Sequence, residues 1–209
     1  MSRPPLARSR AGSLDVPLSV WTVEGPGDLL DGLLIELAPT GPLAAVDTPG
    51  WTALPLAGRT TRLYWRTRTS YDLARTLPDA ARGRTNAHHV TSATLAAKLD
   101  GERRLGMIAA SAWLLRSPGA LDAAARALRP GGFLAVIGRT EQDAVDIATR
   151  TDTDAPAASR LDFTAYLVAA STAAFNAAVR VGDRAAGASM RHWAVGIWQR
   201  RTPAGGARG

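Results

Sequence analysis

The sequence predicts an α/β fold: a three-layer, mostly parallel sheet with helices on both faces. Three observations predict it. Strand-like and helix-like segments alternate along most of the chain, the pattern of consecutive strand–helix units. The best strand candidates, 105–110 (LGMIAA) and 133–137 (FLAVI), are apolar almost throughout, as strands covered on both faces must be. The size also fits one such domain: 209 residues, 46% hydrophobic and 21% charged.

Taken in order, residues 1–13 read as a disordered basic arm carrying Arg3, Arg8 and Arg10, and residues 14–201 as a single domain. Residues 18–23 (LSVWTV) suit a short strand. Over 27–37 the apolar residues fall at 29, 30, 33, 34 and 37, a helical stripe with Asp28 near its start. Pro39 to Pro42 then break the chain. Residues 43–47 form a short apolar run ending in Asp47, and 48–58 a loop leading into a short helix. A strand is expected over 62–66, a helix over 70–82, a weaker strand over 87–92 and a stronger one over 105–110.

The sharpest local signal lies in 120–139. An alanine-rich helix over 121–128 meets Arg129, a cation suited to a helix C-terminus. Pro130 cannot continue a helix, and Gly131-Gly132 permit the positive φ of a C-terminal cap. The apolar strand 133–137 follows. Beyond it, 141–150 reads as helix with acids in its first turn, 161–169 fits helix or strand, and 171–184 reads as helix. In 192–199, Trp193, Val195 and Ile197 face one way and Ala194, Gly196 and Trp198 the other, so this late strand belongs inside a sheet. Residues 202–209 read as a disordered tail.

Composition excludes several chemistries. The chain has no cysteine, so disulfides, thiolate metal sites and cysteine nucleophiles are out. No apolar run reaches the about 20 residues that span a bilayer. The arm has no apolar region of the kind a signal peptide needs, and the cytoplasm is the expected compartment. His88 and His89 are neighbours on a strand and point to opposite faces, so no metal site is expected. The nucleophile elbow G-x-S-x-G, the phosphate loop G-x-x-x-x-G-K-[ST] and the dinucleotide fingerprint G-x-G-x-x-G are all absent. The net charge is +7 and the pI near 11.0. That balance favours polyanions such as DNA or another nucleic acid. It equally fits a coding bias, since Lys98 is the only lysine among many arginines.

The Leu128-Arg129-Pro130-Gly131-Gly132 turn with its strand resembles the helix-to-strand turn of class I S-adenosylmethionine-dependent methyltransferases, a Rossmann-like fold. More narrowly, the order of elements resembles bacterial amino-methylating DNA methylases. The resemblance implies S-adenosylmethionine as cofactor, held after the first core strand by Asp47, Thr48, Gly50 and Thr52, and after a later strand by Ser92. It also implies a catalytic segment at Ala110-Ser111-Ala112-Trp113-Leu114. There Ser111 would supply the polar group and Trp113 the ring that stacks on a flipped base.

The working residues depart from the family pattern. Of the glycine-rich turn only Gly50 remains, with Trp51 and Ala53 beside it. No acid follows the strand at 62–66, where ribose hydroxyls would be held. Both prolines of the catalytic segment are missing. Two functions therefore follow: a methyltransferase acting on DNA or another substrate, or an inactive pseudo-methyltransferase serving as a nucleic-acid- or protein-binding module. An unrelated α/β binding protein is the third.

Overall fold

The computed structural model describes residues 18–23, 26–47, 61–65, 85–102, 104–150, 160–171 and 192–202. Outside them lie the arm 1–13, residues 203–209 of the tail, the loop with Thr48, Gly50 and Thr52, the helix expected over 70–82, and residues 172–184.

Among the described residues eight strands form one sheet: β1 (Leu18–Val23), β2 (Leu43–Val46), β3 (Thr61–Trp65), β4 (Thr85–His89), β5 (Leu105–Ser111), β6 (Leu128–Gly138), β7 (Leu161–Ser171) and β8 (His192–Arg200). Their spatial order is β1-β7-β8-β6-β5-β2-β3-β4. Only β8 is reversed: it pairs antiparallel with β6 and with β7, and the other neighbouring strands run parallel. The expected mostly parallel sheet is therefore present, made mixed by the one reversed strand, and the late strand sits inside it. The described helices are α1 (Pro26–Leu37), α2 (Ser92–Asp100), α3 (Trp113–Arg116), α4 (Ala120–Ala127) and α5 (Glu141–Thr149).

Strand alternation divides the core into two layers. Leu43, Ala45, Met107, Ala109, Phe133 and Ala135 face one side, joined by the buried leucines of α1. Their sequence neighbours Ala44, Val46, Ile108, Ala110, Leu134 and Val136 face the other, under α2, α4 and α5. Helices thus cover both faces. The α1 stripe behaves as its spacing predicts: Leu29, Leu30, Leu33, Leu34 and Leu37 are buried, while Ile35 is 77% exposed. Burying each such leucine contributes about 2 kcal/mol.

The helix-to-strand turn differs from the sequence expectation. The helix ends at Ala127 and its cap is Leu128, already extended at φ −67°, ψ 144°. The strand begins there, three residues before the glycine that was to cap the helix. Two forces explain it. Pro130 biases residue 129 toward extended backbone, and the Leu128 side chain is fully buried in the second core layer. Gly131 does take a positive φ of 76°, but inside β6, next to an irregularity in the pairing of Leu105 and Met107 with that strand. The carbonyls at the end of α4 are capped instead by a distant side chain: the Arg200 guanidinium donates to Arg126 O at 2.9 Å and to Leu128 O.

Two further elements correct the reading. Residues 161–169, ambiguous by pattern, lie in strand β7, because β1 and β8 both pair with it. The weaker strand expected over 87–92 is β4, ending at His89; Ser92 opens α2. Thr91 caps that helix, accepting the Thr94 N–H while the Thr94 hydroxyl accepts from the Thr91 N–H at 2.8 Å.

Candidate functional site

The strand order defines where a ligand belongs. From β2 the chain moves outward through β3 to β4, then crosses back to β5 on the other side of β2 and continues to β6. The β2/β5 boundary is therefore the switch point of the sheet, and ligands of open α/β sheets bind outside the carboxyl ends of the strands there. Val46 of β2 is in register with Ala110 of β5. The next residues on the two strands are Asp47 and Ser111.

Asp47 is buried, with 5% of its surface exposed. Its N–H donates to the Tyr64 carbonyl of β3 at 2.7 Å, and its φ is +50°. Asp is among the few residues that take this left-handed conformation readily. It turns the chain out of the sheet at the point where the carboxylate remains inside. Ser111, half-buried, donates its hydroxyl to Asp47 Oδ2 at 3.4 Å. The fold thus brings together Asp47, expected at the cofactor, and Ser111, expected at the methyl acceptor, across 64 residues of sequence.

Ser92 and Trp113 stand differently. Ser92 is exposed in the first turn of α2. It follows β4, two strands from β2, or about 10 Å at ordinary strand spacing. It shares the carboxyl edge with Asp47 without joining the Asp47–Ser111 pair. Trp113 opens α3, right after β5, and lies half-buried against the second core layer. Its carbonyl accepts the Ser117 hydroxyl at 3.0 Å. The sequence reading misses Tyr64, whose carbonyl anchors Asp47. Only a backbone atom is involved, so no side-chain pattern marks it.

Next along this edge, helix α5 is held by a side-chain cap. Thr140 caps α5 by accepting the Asp143 N–H at 3.1 Å, and the Asp143 carboxylate accepts from the N–H groups of Arg139 and Thr140. Arg116 of α3 pairs with both Asp143 and Asp146. Burial pushes the Asp143 carboxyl up, but the bonds from Arg139, Arg116 and Thr140 outweigh it and hold its pKa below the usual value. The Gln142 amide, then Arg116, lowers that of Asp146.

S-adenosylmethionine carries a cationic sulfonium, an amino group, ribose hydroxyls and an adenine amine. The described residues fit it at the β2/β5 boundary, where the buried Asp47 carboxylate follows the carboxyl end of β2. They fit less well at β3, whose last residues Tyr64 and Trp65 offer no acid for the ribose. Among the described residues no three His, Cys, Asp or Glu side chains gather as a metal site. No described helix is long and apolar enough to cross a membrane.

No protein-family model and no curated protein matches this sequence. Solved structures do match. An O-methyltransferase from Bacillus cereus in complex with SAH superposes with a TM-score of 0.55 at 14% identity, over 85% of this chain and 82% of that one. The O-methyltransferase TomG from Streptomyces achromogenes, involved in tomaymycin synthesis and in complex with SAM, gives 0.55 at 16% identity, over 84% and 79%. An rRNA methylase from Streptococcus thermophilus gives 0.55 at 11% identity, over 86% and 99%. The chain therefore has the fold of class I S-adenosylmethionine-dependent methyltransferases. At these identities the likeness extends to the fold alone.

Proposed function

We propose that this protein binds S-adenosylmethionine at the carboxyl edge between β2 and β5 and acts as a methyltransferase. The observation that carries the reading is the Asp47–Ser111 pair at the switch point of a methyltransferase fold. The cofactor would supply a methyl group already activated on a sulfonium, so the protein's task is orientation more than proton transfer. Asp47 would hold a cationic or hydroxyl group of the cofactor through its buried carboxylate. Ser111 would fix that carboxylate and line the acceptor side. Ser92, farther along the edge, would meet the adenine end, and Thr48, Gly50 and Thr52 would be further contacts to the cofactor.

The acceptor is less defined than the cofactor. DNA as substrate rests on the sequence resemblance to amino-methylating DNA methylases. The neighbours named above are O-methyltransferases and an rRNA methylase, which supports a hydroxyl-bearing small molecule or RNA equally. A second reading, a pseudo-methyltransferase binding module, is favoured by one observation: Trp113 leans on the core, leaving less of its ring for a base.

Titration calorimetry of the full chain with S-adenosylmethionine separates them. Saturable binding is expected, and Asp47→Asn should weaken it about tenfold, or about 1.4 kcal/mol. Asparagine keeps the hydrogen bonding and tolerates the positive φ, so the loss reads the charge. Heat-silent titration into the millimolar range would remove the enzyme reading and leave the binding module.

A further inference from the structure

The opposite edge of the sheet carries a site of different character. A cavity of about 580 Å³ opens there, lined by Arg104, Arg126, Arg129, Arg160 and Arg200. Two carboxylates, Asp100 and Glu102, share the lining. The topology assembles it. Arg104 precedes β5, Arg129 follows the first residue of β6, and Arg160 precedes β7, so all three lie at the amino ends of parallel strands. Because β8 is reversed, its carboxyl end brings Arg200 to the same place, with Leu161 in register with Arg200.

The structural duties of this cluster fall on two of its five arginines. Arg126 pairs with Asp100 at 2.7 Å and with Asp122. Arg200 caps α4 through two carbonyls. Of the two carboxylates, Asp100 is thus already paired. Glu102 takes the Arg62 guanidinium at 3.0 Å and the Tyr64 hydroxyl at 2.9 Å. Arg104, Arg129 and Arg160 are left without a carboxylate partner among the described residues. Moreover, Nε of Arg129 is buried with no hydrogen-bond partner, and a buried donor left unmet costs about 1–3 kcal/mol. No ion pair among the described residues accounts for the gathering of these three charges.

We propose that this cavity binds a phosphate-bearing anion, with Arg104, Arg129 and Arg160 meeting its oxygens. Guanidinium forks match phosphate oxygens in pairs. Three uncompensated cations call for more negative charge than a single carboxylate carries. The volume lies within the range of small-ligand sites, about 300–1,000 Å³. The phosphate can come from a free phosphorylated metabolite or from a nucleic-acid backbone. The site is separate from the carboxyl edge, and the proposal stands whether or not that edge binds S-adenosylmethionine.

Titration of the full chain with inorganic pyrophosphate, and separately with a short single-stranded RNA, tests it. Saturable pyrophosphate binding is expected, weakened about tenfold or more in the double variant Arg104→Gln/Arg160→Gln, because charge-assisted contacts to phosphate are strong. Both side chains are exposed and have no carboxylate partner among the described residues, so the variant should fold. Arg129→Lys keeps the charge but loses the fork, and should weaken binding severalfold. Arg139→Gln, at the other edge, should leave it unchanged. RNA binding displaced by pyrophosphate would assign the site to a nucleic-acid backbone, and pyrophosphate binding alone would assign it to a free phosphorylated ligand. Failure of both probes to bind, or equal losses in the double variant and in Arg139→Gln, would overturn the proposal.

Discussion

The two edges of this sheet are built from the same strands and yet present opposite chemistry. Among the described residues the carboxyl edge has one buried acid, Asp47, set beside a serine, with capped helices α2 and α5 along the same edge. The amino edge has five arginines around a cavity. The difference teaches that strand direction assigns roles. Residues that leave strands are turned by helix starts and left-handed backbone toward one ligand edge. Residues that enter strands collect at the other, where helix C-termini draw cations. How each edge is held also differs, and that can be tested.

The amino edge depends on backbone packing. Gly106, the second residue of β5, donates to Pro42 O at 2.7 Å, and a Cβ there would collide with the Thr40 carbonyl. Gly106→Ala should therefore produce the largest effect, destabilising the protein by about 3 kcal/mol, read as a shift in the urea midpoint. A loss under about 0.5 kcal/mol, the scale of an ordinary surface change, would mean that this edge yields more easily than its packing implies.

The carboxyl edge depends on side-chain caps. Thr140→Ala should cost about 1 kcal/mol through the α5 cap, again by urea denaturation. The effect should depend on acid. The folded-state pKa of Asp143 lies below its unfolded value, so its contribution is complete above the unfolded pKa, about 4, and fades as pH falls through the folded one. An Asp143→Asn variant should then differ from the parent in thermal midpoint at neutral pH and converge with it in acid. A gap that persists at low pH would show that uncharged hydrogen bonding at position 143, and not the carboxylate's charge, carries the difference. The smallest effect belongs to Arg116→Ala. Its pairs with Asp143 and Asp146 are partly exposed, and such bridges are worth about 0–1 kcal/mol. It should be further reduced by salt.

Much of the scaffold is legible in the sequence where burial is one-sided or complete. The α1 leucines repeat at helical spacing because one face meets the sheet. Strand β8 reads as interior because both of its faces are apolar. Helix α2 is not legible in that way: Leu95 and Leu99 alone are buried, too few for a stripe, and its signal is the Thr91–Thr94 cap. The helix-to-strand turn is recognisable but its register is not, because Leu128 is claimed by the core before the glycines are reached. At the candidate site, Asp47 and Ser111 can be named from element order, while their contact depends on the β2–β5 register. The arginine cavity is invisible in sequence, since its members are scattered from Arg104 to Arg200 and only the reversed strand closes the set.

That reversal also gives the molecule an address system. Gln199 donates its amide to Gly131 O at 3.1 Å, and Thr202 lies beside the same glycine. Whatever follows residue 202 sets out from the arginine side. A fluorophore attached there would sense arrivals at the cavity and stay blind to events at Asp47, making it a one-edge reporter.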